Sequence, residues 1–355
     1  MNLNYSLASP MSLHVQNFAL FGPTALVPSN PSGDRLAATW NSFQGVKMYR
    51  NDIRVLTHSE MRTWKQCRAK HNFQYTLKLR STEGEASYFR RGGAVHRFIE
   101  LMYLKIKTGE WTIERFVKEL ENHWAVVSRE VKLVAPEDLQ KEFAVIKGMV
   151  LAYHKHYFLT EQFEGVVTEK ELFHEVDGAY FAGKIDAIVK KDGKYYVHDY
   201  KCVSNFTSTD RLLLNVDEQF TLYILLAQLS FGKEFAGGIR TAIESPNIKQ
   251  GKKETVAEYC DRVVADYLDR PEFYLSRVIS PRSQKQVEQY RIDVVCLYNE
   301  IVNSTAIHRS PSTMTCGMCD FLEVCTEVDA EVRRLLVNSK FTVGQKTHQE
   351  LTLFV

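Results

Sequence analysis

The 355-residue chain is 45% hydrophobic and 25% charged, the composition of a soluble globular protein with enough length for one large domain or two ordinary ones. No apolar run approaches the ~18 residues of a membrane span, and the first 29 residues lack the basic start and cleavage signal of a secretory peptide, so a reducing, cytoplasmic setting is expected. A net charge of +2 excludes a globally basic polyelectrolyte, so any nucleic-acid surface must be local.

Residues 1–56 are rich in Ser, Pro, Asn and Gly without periodicity and read as an N-terminal extension of unknown role. Ser59 can cap a helix with Met61, Trp64 and Cys67 on its apolar side. From Arg62 to Arg97 nine basic residues (Arg62, Lys65, Arg68, Lys70, Lys78, Arg80, Arg90, Arg91, Arg97) face only Glu83 and Glu85, with Trp64, Phe73, Tyr75, Tyr88 and Phe89 among them. Such a stretch suits a groove that follows a nucleic-acid backbone and stacks bases; a solvated helix face is the plainer reading. A helix is predicted from about 93 to 107, on the stripe Val95, Phe98, Ile99 and Met102, and further helix over 111–160, broken near Pro136. Strands are predicted over 166–174, 179–190 and 194–201, a long apolar helix over 217–231 and a strand over 237–244. Helices are expected to return from 253 to 304, and the tail, 327–355, to hold a helix over 328–336 and a final strand. The pattern is α/β or α+β: a compact central sheet flanked by helices.

The hairpin at Asp192-Gly193 is the sharpest local signal, because Asp-Gly between strands favours a two-residue type I′ turn. Paired positions then sum to 385, which sets Asp186 opposite Asp199 with Cβ atoms ~5 Å apart, and Lys201 on the same strand face as Asp199. Two facing carboxylates in an apolar hairpin share a proton, point apart or hold a cation, and a hard divalent ion suits their oxygens. An ammonium beside a metal-bound water favours its ionisation and meets the charge that builds on a phosphoryl group. The plainer reading is a surface salt bridge, since D-x-K is a short pattern.

The segments Gly183-Lys184-Ile185-Asp186 and His198-Asp199-Tyr200-Lys201, with Gly93-Ala94-Val95-His96 before them and Gln219-Phe220-Thr221-Leu222-Tyr223 after, resemble the RecB-like branch of the PD-(D/E)XK nucleases. CRISPR-associated members and phage recombination exonucleases are the nearest likenesses, over about residues 57–326. The resemblance implies a restriction-endonuclease-like core. It implies Mg²⁺ or Mn²⁺ held by His96, Asp186, Asp199 and the Tyr200 carbonyl, with the imidazole making manganese more welcome. It makes Lys201 the catalytic base or charge stabiliser, with Gln219 and Tyr223 on one helix face to position it or touch the DNA backbone. Glu169, on the strand before the hairpin, is a candidate helper.

Seven cysteines (Cys67, Cys202, Cys260, Cys296, Cys316, Cys319 and Cys325), an odd number, argue against a disulfide framework. Cys316, Cys319 and Cys325 form C-x2-C-x5-C, with Cys67 as a fourth thiolate 249 residues upstream. In the resembling family one cysteine precedes the nuclease core and three follow it, around a [4Fe–4S] cluster that would join the helical N- and C-terminal flanks. Zinc is the rival for four thiolates. Cys202, Cys260 and Cys296 read as packed thiols.

The expected function is a DNA exonuclease serving recombination or repair at single-stranded or opened ends, in a bacterial host or phage-infected cell. With no P-loop in the chain, a helicase or a recombination or annealing protein would be the partner that supplies unwinding. An endonuclease on the same fold, an RNA nuclease and a catalytically silent DNA-binding subunit are the alternatives.

Overall fold

A computed structural model gives the fold of residues 53–348 and 351, apart from 83–86, 132–133 and 162. All but the last four positions of the predicted N-terminal extension therefore lie outside the described residues. The first strand, β1 (Val55–Thr57), runs directly into helix α1 (His58–Gln66). Thr57 caps that helix in place of the expected Ser59, its hydroxyl accepting from the Glu60 backbone N–H at 3.3 Å. The reason is tertiary: β1 lies parallel to a later strand up to Thr57, so the chain turns helical as soon as the pairing ends.

A short strand, β2 (Leu79–Ser81), precedes helices α2 (Ser87–Leu101), α3 (Ile113–Glu130) and α4 (Pro136–Tyr153). Strands β3 (Gly165–Val176), β4 (Ala179–Lys191) and β5 (Lys194–Val203) follow, then helix α5 (Glu218–Phe231) and strand β6 (Phe235–Glu244). The helical run expected over 253–304 is corrected: helix α6 (Val256–Asp269) and one turn at Pro271–Tyr274 lead into strand β7 (Leu275–Pro281) before helix α7 (Gln284–Asn303). This strand hid from the sequence because it is an edge: only Leu275 and Ser280 are buried in it, too few for a clear alternation. Helix α8 (Ala330–Lys340) starts two residues later than expected and runs four further. The final strand, β8 (Phe341–Val343), pairs antiparallel with β2 in a separate two-stranded sheet.

The six-stranded sheet has the order β1-β4-β5-β6-β7, with β3 on the other edge of β4, and its pairings are mixed. β3, β4 and β5 form an antiparallel meander, β5 and β6 are parallel, and β7 is antiparallel to β6. Helices α2, α4 and α6 cover one face and α1, α5 and α7 the other, each with its own apolar core. This is the central mixed sheet between helical layers that the sequence implies. No helix among the described residues is long and apolar enough to cross a membrane.

The Asp-Gly turn is present, with φ of +50° at Asp192 and +74° at Gly193 as type I′ requires. It sets the predicted register, from Lys191↔Lys194 to Ala187↔His198. There the ladder stops, one pair short of the expected Asp186↔Asp199. Beyond that point β1 occupies the edge of β4, at Tyr180 to Ala182, while β5 continues along β6. The sheet forks, and Gly183 to Asp186 line the opening.

The fork coincides with a change of face. Phe181 and Ile185 pack toward α5, whereas Ala187 and Val189 pack toward α2 and α4. Strict alternation would keep these odd-numbered residues on one side. On β3 the same switch separates Val166 from Leu172. Its centre is Glu169, which drops out of the ladder opposite Asp186 and takes a φ of +49°. A non-glycine residue in that region is uncommon and costs energy. Glu169 and Asp186 are thus the two residues at which neighbouring strands turn over together.

A candidate metal centre at the fork

Three elements bring side chains to this point. Helix α2 delivers His96, whose Nδ1 lies 3.3 Å from Asp186 Oδ1. The turned-over residues deliver Asp186 and Glu169. Donor atoms of His96, Glu169 and Asp186 all lie within 4.8 Å of one another, a group able to hold a cation. The Tyr200 backbone N–H donates to Asp186 Oδ2 at 2.9 Å, bridging the fork where the ladder fails. The Tyr200 ring meets that of His96 edge-on, centroids 6.0 Å apart, and so props the imidazole. Lys184 pairs with Glu169.

Asp199 and Lys201 face the α5 side. Asp199 is only 2% exposed, with Lys201 Nζ 3.0 Å from Oδ1 and Arg240 Nε 2.9 Å from Oδ2. The second contact is ionic only, since Asp199 Oδ2 and Arg240 Nε have no hydrogen-bond partner. Arg240 Nη2 also reaches Asp217 Oδ2 at 3.2 Å, and Asp217 caps α5 through Oδ1, which accepts from Phe220 N at 2.9 Å.

Burial and charge drive the two aspartates apart. Burial pushes the Asp186 carboxyl up, but His96, Lys201 and the Tyr200 N–H overcome it and hold the group well below the usual carboxylate range. At Asp199 burial prevails over Lys201 and Arg240, with the Asp186 charge adding to it, and the pKa is raised. The His96 pKa is raised, burial being outweighed by Asp186, and that of Lys201 is raised because Asp199 and Asp186 outweigh its desolvation. Asp186 and His96 therefore each favour the charged form of the other.

From the α5 side, Gln219 Nε2 donates to Tyr223 OH at 3.3 Å. The Tyr223 ring covers Gly183, where a Cβ would approach it to 2.6 Å. The glycine of the Gly183-to-Asp186 segment is thus explained by an aromatic lid.

The fork brings His96 and Asp186 together, with Tyr200 bridging to Asp186, while Asp199 and Lys201 pair with each other and Tyr223 lies on Gly183. Glu169, weighed only as a helper, joins the closest donor group. Arg240 and Asp217 were missed, although a lone arginine in the apolar strand Phe235–Glu244 was a visible signal of a buried partner. Among the four predicted cysteine ligands, the thiols of Cys67, Cys316 and Cys319 lie near enough to Cys325 to act on its charge. Burial raises the Cys325 pKa against Arg309, and the thiols of Cys67, Cys319 and Cys316 raise it further; Cys67 acts likewise on Cys319. Burial pushes the Cys202 thiol up to about 12, as a packed cysteine requires.

The model of the PD-(D/E)XK nuclease superfamily matches residues 55–326. The chain belongs to that superfamily, and its matched stretch runs from β1 past the last cysteine. Among solved structures, a protein of Eubacterium rectale provisionally described as an exonuclease is similar, at 10% identity over 80% of this chain and 95% of that one, TM-score 0.45. A protein described as SSO0001 is similar at 13% identity over 84% and 97% of the two chains, TM-score 0.29. No curated protein sequence matches.

Proposed function

We propose that this nuclease is a metal-dependent DNA exonuclease of the RecB-like type, acting on single-stranded or opened ends in recombination or repair. The observation that carries the reading is the fork itself. It gathers His96, Glu169 and Asp186 within one ion's reach, beside an Asp199 oxygen that lacks a hydrogen bond. Two carboxylates and an imidazole suit Mn²⁺ as well as Mg²⁺. When bound, the ion supplies Lewis-acid charge at the scissile phosphate.

The chain's own residues do the rest. His96, Asp186, Asp199 and the Tyr200 carbonyl hold the ion, with Glu169 beside them. Lys201, anchored on Asp199, points its ammonium at the charge that builds on the phosphoryl oxygens. Arg240 and Asp217 fix Asp199 in place. Tyr223 and Gln219 close the α5 side of the fork, where they contact the strand or hold Lys201.

Cys67, Cys316, Cys319 and Cys325 hold a [4Fe–4S] cluster that clasps the two flanks of the core. Four reduced, half-buried thiols fit that role. Among the described residues no three of them bring their sulfurs within 4.8 Å of one another. Zinc on the same four thiolates is the alternative.

The test is end-labelled linear single-stranded DNA and circular single-stranded DNA, each with Mg²⁺ or Mn²⁺. An exonuclease degrades the first from its end and leaves the circle intact. Cleavage of circles at comparable rates would replace the exonuclease reading with an endonuclease one.

A further inference from the structure

Helix α2 carries a face that begins exposed and ends at His96, in the fork. Tyr88 and Phe89 open it, 58% and 57% exposed, with ring centroids 4.3 Å apart. Gly92 and Gly93 follow one turn on, and His96 and Arg97 one turn beyond those. Residues four apart share a helix face. Two stripes therefore run side by side, Tyr88–Gly92–His96 and Phe89–Gly93–Arg97. Ala94, Val95, Phe98 and Ile99 of the same helix are buried in the core.

The two glycines set this face apart. At Gly148, Gly183 and Gly238 an added Cβ would strike Tyr267, Tyr223 or Phe220, so internal packing accounts for the glycine. At Gly92 and Gly93 an added Cβ would meet nothing within 4 Å. Adjacent glycines inside a helix weaken it, and among the described residues no neighbour asks for them. What remains is close approach of another molecule to the helix backbone.

We infer that this face of α2 is a rail for single-stranded nucleic acid, leading an unpaired strand into the fork. An unpaired base stacks on Tyr88 and Phe89, the sugar–phosphate chain crosses the bare backbone at Gly92 and Gly93, and Arg97 meets a phosphate on the way to His96. The inference rests on the nuclease reading above and adds the surface that holds the unpaired strand. The eight helical steps from Tyr88 to His96 rise about 12 Å, so the stacked base and the attacked phosphate belong to nearby nucleotides of one strand. A paired base has its faces covered by its neighbours, whereas an unpaired one offers them to an aromatic platform. Continuity with His96 on the same helix face favours this occupant over a protein, because the rail ends at a ligand of the proposed metal centre.

The full-length protein tests this with two substrates and one binding probe. Tyr88→Ala combined with Phe89→Ala should lower kcat/KM on a single-stranded oligonucleotide at least tenfold. Hydrolysis of thymidine 5′-p-nitrophenyl phosphate, too small to reach the aromatic pair, should stay unchanged. Quenching of a 2-aminopurine base in the strand should be lost in that variant and restored by Tyr88→Trp. Gly92→Leu combined with Gly93→Leu should impair the oligonucleotide reaction as well, while leaving Tm unchanged or higher. Unchanged oligonucleotide kinetics and quenching in both double variants would overturn the rail. Binding of a protein partner with no strand-dependent quenching would do the same. Were the wild type inert toward both substrates, the nuclease reading would fall, and the quenching would still decide whether the strand binds here.

Discussion

The ring of Tyr223 lies against Gly183 so closely that a single methyl group on Gly183 would sit 2.6 Å from Tyr223 Cε1. The contact ties α5 to β4 at the residue immediately after Ala182, the last residue of β4 that pairs with β1. Gly183→Ala should therefore push the ring off its seat, costing about 1–3 kcal/mol of stability as an overpacked core does. Tyr223→Phe keeps the ring and removes only the hydroxyl that accepts from Gln219, so it should cost well under half as much. Urea denaturation of the two variants separates them. Equal stability losses would show that the ring packing is not what the glycine serves.

The donor group of His96, Glu169 and Asp186 predicts a graded response to metal. Chelation should abolish cleavage, and Mn²⁺ should restore it at lower concentration than Mg²⁺, because an imidazole is in the set. Asp186→Asn removes the carboxylate at the centre of the fork and should lower kcat on the order of a thousandfold. Glu169→Gln should act differently, raising the Mn²⁺ needed for half-maximal rate roughly tenfold with a smaller effect at saturation. Metal titrations of the three proteins check this. A Glu169→Gln titration curve superimposable on wild type would remove Glu169 from the centre.

Much of this arrangement is written in short-range pattern. The Asp192-Gly193 turn is a local preference, and it fixed the register of β4 on β5 as far as Ala187 and His198. The positions of His96, Gln219 and Tyr223 were legible because helical spacing and motif order are properties of sequence. The fork was not. It depends on β1, more than 120 residues upstream of the gap it helps to frame, displacing β5 from the edge of β4. Nor could the alternation at Glu169 and Asp186 be read, because both strands turn over together and each keeps its partner register. Arg240 escaped for the same reason: its partners Asp199 and Asp217 lie on β5 and at the cap of α5, joined to it only by the folded sheet.

Glu60 should make the stability of this protein depend on pH in the acid range. The side chain is fully buried, pairs with Arg54, and faces His71 Nε2 at 2.9 Å and His348 Nε2 at 3.1 Å. Burial pushes its pKa up, but Arg54, His348 and His71 together hold it well below its ordinary 4.5. As pH falls, the unfolded chain therefore takes up this proton before the folded one does. The stabilisation is complete at neutral pH, declines below about 4.5, and is lost as pH drops through the lower folded value. Glu60→Ala, which strands Arg54 in the interior, should cost about 3–5 kcal/mol at pH 7. That gap should narrow at acid pH, because the variant lacks this proton uptake. A stability difference that stays constant from pH 7 to 3.5 would show that Glu60 is not held ionised.

The cysteine clasp makes the last prediction, and it concerns which part of the molecule depends on the cluster. Phe321, between Cys319 and Cys325, stacks on Phe73 and on Phe341, centroids 5.2 Å apart in each case. The Ala69 N–H also donates to His308 O at 3.0 Å, and β2 pairs with β8. These contacts join the two flanks without metal, while the six-stranded sheet lies in other elements altogether. Cys319→Ser should therefore lose its iron and the visible absorbance of the cluster, yet retain a cooperatively folded sheet. Hydrogen exchange should speed up by about tenfold or more over 68–81 and 313–343, with little change in β4 and β5. Anaerobically purified wild type containing one zinc and no iron would replace the cluster with a zinc clasp. Global unfolding of Cys319→Ser would show instead that the metal holds the whole core.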